Sequence, residues 1–265
     1  MSMWRTFIQW WRRDRRGARL NDDSLWRGQL AAIPILQGLD AQEQSTLIAL
    51  ARGFLQEKQV TPLGVTPSRE QLYAMALQAV LPLLHLGPGW YRNFYELILL
   101  PAEVERHEWA MQPDGVMMEE QGFHLGEAWE QGPVVLVWPE LLRDGQWDGY
   151  HLLIHELLHK LDMLAGGEAN GMLPERPGVS IAHWQRIWTQ RYEACCSGTA
   201  LTWLDEQACE NMAEFFAVVG EAFFTRPRRL KRDEPELYHQ LACWFAQDPA
   251  QREPVGSEHA GWSPL

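Results

Sequence analysis

The residues with the clearest chemical potential are two histidines four positions apart, His155 and His159, in the run His-Glu-Leu-Leu-His. In a helix, positions i and i+4 lie on the same face one turn apart, so both imidazoles can reach one metal ion. Glu156 follows at the next position, where its carboxylate can accept a proton from a zinc-activated water without ligating the metal. The run therefore predicts a Zn²⁺-dependent peptidase in which Glu156 is the catalytic base.

A third zinc ligand must come from elsewhere in the chain, because catalytic zinc usually has three protein ligands. Glu214 is the favoured candidate: it lies in an almost wholly apolar helical pattern at 211–225, where a carboxylate is costly unless it is paired or metal-bound. The same residue could instead close a capping box with Asn211. The weaker candidates are Glu221, which is the reserve, His183 and Glu210.

Two further polar residues lie on the same face of the motif helix. His151 and His159 are separated by about 12 Å along a helix, so one zinc ion cannot bind both, and we expect His151 to line the cleft or pack nearby. Asp162 follows His159 by three residues. It either orients a ligand imidazole through the second ring nitrogen or is a solvated acid near the helix end. The sequence leaves both roles of Asp162 open.

The motif must be positioned by a helix, which we predict from Gly149 to about Ala165. Asp148 is its expected N-cap, and Gly166-Gly167 ends it before a loop at 166–180. An apolar stripe predicts the buried face of this helix. The stripe consists of Ile154, Leu157, Leu158, Leu161 and Ala165.

The other periodic segments predict an α+β or mixed α/β domain. Helices are expected at 24–33, 40–54, 68–86, 181–195, 211–225 and 234–247, with Pro82 kinking the third. Asp40 and Glu43 have capping-box spacing. Glu96–Leu100 and Val134–Trp138 read as strands, and the prolines flanking the second favour an edge position. Residues 102–132 are expected to be mostly loop or hairpin.

Composition limits the possible functions. The net charge of −12 over 265 residues argues against general nucleic-acid binding. No apolar run is long enough for a transmembrane helix. The four cysteines contain no CxxC pair and predict reduced thiols in a cytosolic protein. Residues 1–19 form a basic, aromatic leader, either partly disordered or an interfacial helix, before a peptidase domain at 20–265.

Five segments, spread over roughly residues 25–248, resemble the Mlc titration factor A family of bacterial zinc peptidases, which are related in their catalytic core to the anthrax lethal factor. The segments are 54–58, 125–132, 134–139, 155–162 and 213–218.

This resemblance implies zinc on His155, His159 and Glu214, with Glu156 as base. It implies a zincin-like fold, mostly helical, with a small sheet whose edge strand lines the active-site cleft and pairs with an extended peptide substrate; Val134–Trp138 is the candidate strand. It also implies an aminopeptidase-type activity in the cytoplasm and sequestration of a glucose-responsive transcriptional repressor.

The chain departs from the family pattern at two places. Gln207 stands seven residues before Glu214, where the family usually has a Tyr expected to donate a hydrogen bond to the developing oxyanion. A Gln amide can also donate, with a different reach. The run Asp114-Gly-Val-Met-Met118 lacks a family His. These departures motivate an alternative, a regulatory binding protein with a weakly active or vestigial zinc site.

Overall fold

Helices make up most of the computed structural model, which describes residues 22–102, 104–111, 117–124, 126–128 and 132–255, the three short ranges by their main chain alone. The helices are α1 Asp23–Ala32, α2 Ala41–Glu57, α3 Arg69–Ala79, α4 Trp138–Leu141, α5 Leu152–Asp162, α6 Ile181–Cys196, α7 Met212–Thr225, α8 Pro227–Asp233 and α9 Pro235–Phe245. None of these is long and apolar enough to cross a membrane. The predicted leader and the domain boundary after residue 19 lie outside the described residues.

The strands form one small sheet and one hairpin. They are β1 Gln59–Pro62, β2 Glu96–Leu100, β3 Val104–Met111, β4 Met117–His124, β5 Gly126–Ala128 and β6 Val134–Val137. The sheet has the order β1-β2-β6-β5, in which β1, β2 and β6 are parallel and β5 is antiparallel to β6. β3 and β4 pair as an antiparallel hairpin. The α+β prediction and the expected hairpin are confirmed.

The prediction that Val134–Trp138 is an edge strand is wrong. β6 pairs with β2 on one side, through Leu97↔Val134, and with β5 on the other, through Gly126↔Leu136. The flanking prolines misled the prediction because both lie just outside the strand, where a missing N–H removes no ladder hydrogen bond. Trp138 begins α4 instead. Among the described strands of this sheet, β5 is the edge next to β6.

Local signals placed the helix starts better than their ends. The Asp40–Glu43 capping box is present at α2. The helix predicted at 68–86 ends at Ala79, and Pro82 lies in a separate 3₁₀ turn, Leu81–Leu83, because proline cannot donate the next helical hydrogen bond. The helix predicted at 234–247 ends at Phe245, before Ala246 in the left-handed region. β1, only four residues long, was missed.

The core places α5 directly against α7. Four residues of the predicted apolar stripe, Ile154, Leu157, Leu158 and Leu161, are buried. The fifth, Ala165, was predicted wrongly: the helix ends at Asp162, and Ala165 is exposed in the 3₁₀ turn that follows. Gly220 on α7 permits this close packing, because a Cβ atom there would clash with Cδ1 of Leu158. The two helices that carry the histidines and Glu214 are therefore fixed to each other at van der Waals contact.

Candidate metal centre

The N-terminus of α5 is held by two buried side chains that do not include Asp148. The carboxylate of Asp144 accepts hydrogen bonds from the Leu152 and Leu153 amides at 2.9 and 3.0 Å. Nδ1 of His151 accepts one from the Ile154 amide at 3.2 Å. The prediction that Asp148 caps this helix is wrong: its side chain accepts from Tyr150 in the preceding turn. The helix starts at Leu152 because these acceptors satisfy its first N–H groups.

His155, His159 and Glu214 converge on one point. The two Nε2 atoms are 3.1 Å apart, and the Glu214 carboxylate oxygens lie 3.1 Å from Nε2 of His155 and 3.2 Å from Nε2 of His159. A tetrahedral zinc site with bonds of about 2.0 Å has ligand atoms about 3.3 Å apart. Of the described residues, these form the only group of three that could hold a metal ion.

Glu214 turns toward the histidines and does not complete a capping box. Asn211 caps α7 through its side chain, which accepts from the Ala213 and Glu214 amides at 2.9 and 3.0 Å. The Glu214 carboxylate instead faces the two imidazoles. Burial raises the pKa of this carboxyl, but the hydrogen bonds and charge of His155 and His159 outweigh burial and hold the pKa well below its usual range.

Glu221, the reserve ligand, lies on the opposite side of the His155 ring. Its Oε1 is 2.6 Å from Nδ1 of His155, and its Oε2 accepts the His151 amide at 2.8 Å. A proton on Nδ1 leaves the lone pair on Nε2, the nitrogen that faces Glu214. This is the tautomer that a metal-binding imidazole needs. Burial lowers the pKa of His155, yet the carboxylates of Glu214 and Glu221 raise it well above its usual value. The negative charge of the Glu214 and Glu221 carboxylates favours binding of a cation at this site.

Glu156 completes the buried acidic cluster. Only 4% of the residue is exposed, and its Oε2 has no hydrogen-bond partner among the described residues. Burial raises the pKa of the carboxyl, while the nearby imidazoles of His155 and His159 act in the opposite direction. A buried carboxylate oxygen with no protein partner is available to a water or substrate proton.

Gln207 reaches the same centre from a one-turn 3₁₀ helix, Glu206–Cys209, hereafter the Gln207 turn. Its Nε2 donates a hydrogen bond to Oε2 of Glu214 at 2.9 Å. The two weakest sequence candidates lie outside the group: His183 contacts Arg186 on the exposed face of α6, and Glu210 is exposed. The structure thus brings together His155, His159, Glu214, Glu156 and Gln207.

Comparison with known proteins identifies the family of the chain. The sequence profile described as glucose-regulated metallo-peptidase M90 matches residues 8–246. The chain belongs to this family. It is 36% identical over 239 residues to the Mlc titration factor A of Salmonella arizonae, covering 88% of this chain and 94% of that protein. It is 34% identical over 249 residues to that of Salmonella paratyphi A, covering 91% and 93%. The resemblance found in the sequence is confirmed, and M90 membership implies a bound metal ion.

Two family segments are joined by a buried lysine. Nζ of Lys160, next to His159, donates to the Gly132 carbonyl at 3.0 Å, which ties α5 to the chain between β5 and β6. Nζ of Lys58 donates to the Phe94 carbonyl at 2.9 Å. These contacts explain why a lysine can be buried at each position, since its ammonium group is hydrogen-bonded.

Both expectations for Asp162 are wrong. The residue is fully buried, and its carboxylate accepts the amides of Asn170, Gly171 and Met172 at 2.7–2.9 Å. It therefore fixes the loop after α5, and burial raises its pKa to about 6. Gly171 in turn approaches the Met212 carbonyl so closely that a Cβ atom would lie 2.7 Å from it. The sequence did not predict this role, or that of Asp144, because the amides that these two carboxylates accept are eight to ten residues away.

Proposed function

We propose that this M90 chain is a zinc-dependent peptidase of aminopeptidase type that hydrolyses short peptides. The observation that carries the proposal is the convergence of His155, His159 and Glu214: the two Nε2 atoms are 3.1 Å apart, and each has one of the two Glu214 carboxylate oxygens at 3.1–3.2 Å. Two imidazoles and one carboxylate are a common ligand set of hydrolytic zinc sites, which keep a fourth position for water or substrate. The hydrogen bond from His155 to Glu221 supports the assignment, because ligand imidazoles usually have such a carboxylate partner.

When bound, zinc would supply Lewis acidity, which polarises the scissile carbonyl and lowers the pKa of water. Glu156 is the proposed general base. Its unpartnered, buried Oε2 accepts the proton of the attacking water and then passes that proton to the leaving amine. Glu156 lies between His155 and His159 in sequence but is not part of the group of atoms that could bind the metal. Its carboxylate is therefore free for proton transfer.

Gln207 is the proposed donor to the developing oxyanion. Its Nε2 already lies 2.9 Å from Glu214, so a side-chain rotation rather than a main-chain shift brings the amide to a substrate oxygen beside that ligand. Removing one such donor costs about 10²–10³ in rate in other hydrolases. A Gln in place of Tyr keeps a donor at this position but changes its reach.

The substrate main chain is proposed to pair with β5, Gly126–Ala128. This strand is the edge of the described sheet next to β6, and it packs against α5, which carries the proposed metal ligands. A peptide added to a strand edge is held by main-chain hydrogen bonds, and this tolerates many side chains. Such pairing would present a peptide carbonyl beside the histidine face of α5.

The test is to measure zinc content and hydrolysis of a panel of aminoacyl and dipeptidyl reporter substrates for the native chain and for Glu156→Gln. The proposal predicts stoichiometric zinc in both proteins and a loss of turnover of at least about 10²-fold in the variant. Glu140→Gln, an acid on short helix α4, is the matched control and should leave turnover unchanged. Turnover retained in Glu156→Gln would refute the role of that residue.

Binding of a transcriptional repressor is the second candidate. The relatives are named Mlc titration factor A, which points to titration of the Mlc repressor by those proteins. In this reading the zinc site is weakly active or vestigial, and Gln207 in place of Tyr marks the loss. Repressor binding that persists in Glu156→Gln, together with no hydrolysis by the native chain, would favour it. The cytoplasm is the proposed compartment for both candidates.

A further inference from the structure

Three of the four cysteines lie together beside the Gln207 turn. Cys195 and Cys196 are the last two residues of α6, and Cys209 is the last residue of the turn. The sulfur atoms of Cys195 and Cys209 are 3.6 Å apart, which is van der Waals contact, and both side chains are half-buried. The fourth cysteine, Cys243, is exposed on α9 beside His239.

The end of α6 also anchors the Gln207 turn through the main chain. The Cys209 carbonyl accepts a hydrogen bond from the hydroxyl of Tyr192 at 3.2 Å and a weak one from the thiol of Cys196 at 3.7 Å. The same turn carries Gln207, whose amide donates to Glu214. A change in how α6 holds Cys209 is therefore transmitted over two residues to the contact at the candidate metal centre.

We propose that Cys195 and Cys209 are a modification site, a dithiol that a low-molecular-weight disulfide oxidises to a bridge between α6 and the Gln207 turn. The bridge weakens the hydrogen bond from Gln207 to Glu214 and thereby the affinity for zinc. The effect on zinc affinity rests on the proposed zinc site. Bridge formation itself depends only on the two thiols. Cys196, which is exposed, is not the bridging partner, because its sulfur faces the Cys209 carbonyl.

The chemistry is two successive thiol–disulfide exchanges. The thiolate of one cysteine attacks a sulfur of the small disulfide RSSR; a protein–S–SR bond forms, the RS–SR bond breaks, and RS⁻ leaves and takes up a proton. The second protein thiolate then attacks the protein-bound sulfur and displaces the other RS⁻. Overall, two protein thiols and RSSR give one protein disulfide and two RSH. The protein is oxidised by two electrons and RSSR is reduced by two.

The surroundings slow oxidation of the pair at neutral pH. Burial raises the pKa of the thiols of Cys195 and Cys209, so the thiolate fraction is small near pH 7. The titratable groups beside the pair are the Cys196 thiol and the Tyr192 phenol, neither of which is a cation that would favour a thiolate. Bridge formation should therefore be faster at pH 9 than at pH 7 by more than about tenfold, because the thiolate fraction of a thiol with a raised pKa grows almost in proportion to hydroxide over this range.

We expect closure of the bridge to draw the turn toward α6. A disulfide requires the sulfur atoms to approach from 3.6 Å to about 2.05 Å. The Gln207–Glu214 hydrogen bond is already at 2.9 Å, a normal length that weakens if the turn is drawn toward α6. We expect the bridged protein to bind zinc about three- to tenfold more weakly than the reduced protein, which corresponds to one neutral hydrogen bond.

The experiment treats the full chain with oxidised glutathione and maps the disulfides by mass spectrometry. Cleavage after Glu193, Glu206 and Glu210 releases Cys195 and Cys209 on separate peptides. The proposal predicts these peptides joined in the native chain, in Cys196→Ser and in Cys243→Ser. It predicts no joined peptides in Cys195→Ser or Cys209→Ser. A bridge that survives Cys195→Ser, or only mixed glutathione disulfides, would overturn it.

Zinc affinity, measured by competition with a chromophoric chelator before and after oxidation, tests the consequence. Weaker binding in the oxidised native chain but not in oxidised Cys209→Ser supports it, and equal affinity in a mapped, bridged protein refutes the coupling. A reduced native chain that binds no zinc would count against the proposed function instead. In that case the disulfide map alone still decides whether the dithiol exists.

Discussion

The α5–α7 helix pair and the Gln207 turn meet at Glu214, but they hold it by different means. On the helix pair, the capping and orienting side chains each make two contacts: Asn211 caps α7 with two hydrogen bonds, and the buried Glu221 contacts His155 and also accepts the His151 amide. The turn makes one side-chain contact to the centre, from Gln207. We therefore expect the first region to determine whether a metal binds, and the second to adjust the affinity and activity of the centre.

Of the two departures from the family pattern, Gln207 falls in the less constrained of the two regions, and residues 114–116 of the other lie outside the described residues. Gln207 is half-buried and lies on a one-turn helix, whereas His155 and Glu156 are buried on α5. A side chain with one hydrogen bond can be exchanged at little cost in stability. A buried charge with several partners cannot be exchanged at so little cost, because its removal leaves the partner groups buried without a hydrogen bond or a counter-charge. Four substitutions separate the two regions by their effect on zinc affinity.

Glu214→Gln should have the largest effect, because it removes the charged ligand that both regions share. We expect zinc affinity to fall by more than about 100-fold, since changes outside the ligand set already cost about 10–100-fold. Equilibrium dialysis or chelator competition measures the loss. Glu210→Gln, an exposed neighbour on the same segment, is the control. Stoichiometric, tight zinc in Glu214→Gln would mean that the converging group does not hold the metal.

Glu221→Gln tests the helix pair without touching a proposed ligand. The carboxylate accepts from both His155 and the His151 amide, whereas an amide oxygen can replace only one of its two oxygens. We expect zinc affinity to fall by about 10–100-fold. Unchanged affinity would show that the orientation of His155 is fixed by packing alone.

Gln207→Ala should have a smaller effect on zinc affinity, less than about tenfold, because it removes one neutral hydrogen bond to Glu214. Turnover should fall further, by about 10²-fold, if the amide also serves the oxyanion. Gln207→Tyr, which restores the residue usual in the family, should recover turnover. Equal losses of zinc and of turnover in Gln207→Ala would instead make Gln207 only a holder of Glu214.

Asp162→Asn should change zinc affinity least, although the residue is only three positions from His159. Its carboxylate accepts three main-chain amides of the following loop, and an Asn side chain has one oxygen for them. We expect the free energy of unfolding to fall by about 1–3 kcal/mol in chemical denaturation. A loss of zinc affinity comparable to that of Glu221→Gln would place the loop within the metal-binding region.

The helix pair could be predicted from the sequence because its signals are local. His155 and His159 are one turn apart, Asn211 precedes an apolar run, and the stripe through Leu158 marks the buried face. Asp144 could not be predicted as the helix cap, since its partners are eight and nine residues away across an irregular turn. The position of β6 inside the sheet depends on pairing with distant strands, which no local pattern records.

The Gln207 turn was reached only through the resemblance. No periodicity marks residues 206–209, and their contact with Glu214 depends on how α6 and α7 pack. Glu221 was considered as a ligand because it is acidic within an apolar helix, but its contact with the second nitrogen of His155 needs the packed helix pair. Local sequence therefore identified which residues are costly to bury, and tertiary structure assigned their partners.

Diffraction from crystals of the native chain at energies on either side of the zinc absorption edge tests the central claim most directly. We expect one anomalous peak at about 2.0–2.2 Å from Nε2 of His155, Nε2 of His159 and a carboxylate oxygen of Glu214. A zinc peak elsewhere, for example beside the cysteines at the end of α6, would contradict the assignment of this centre.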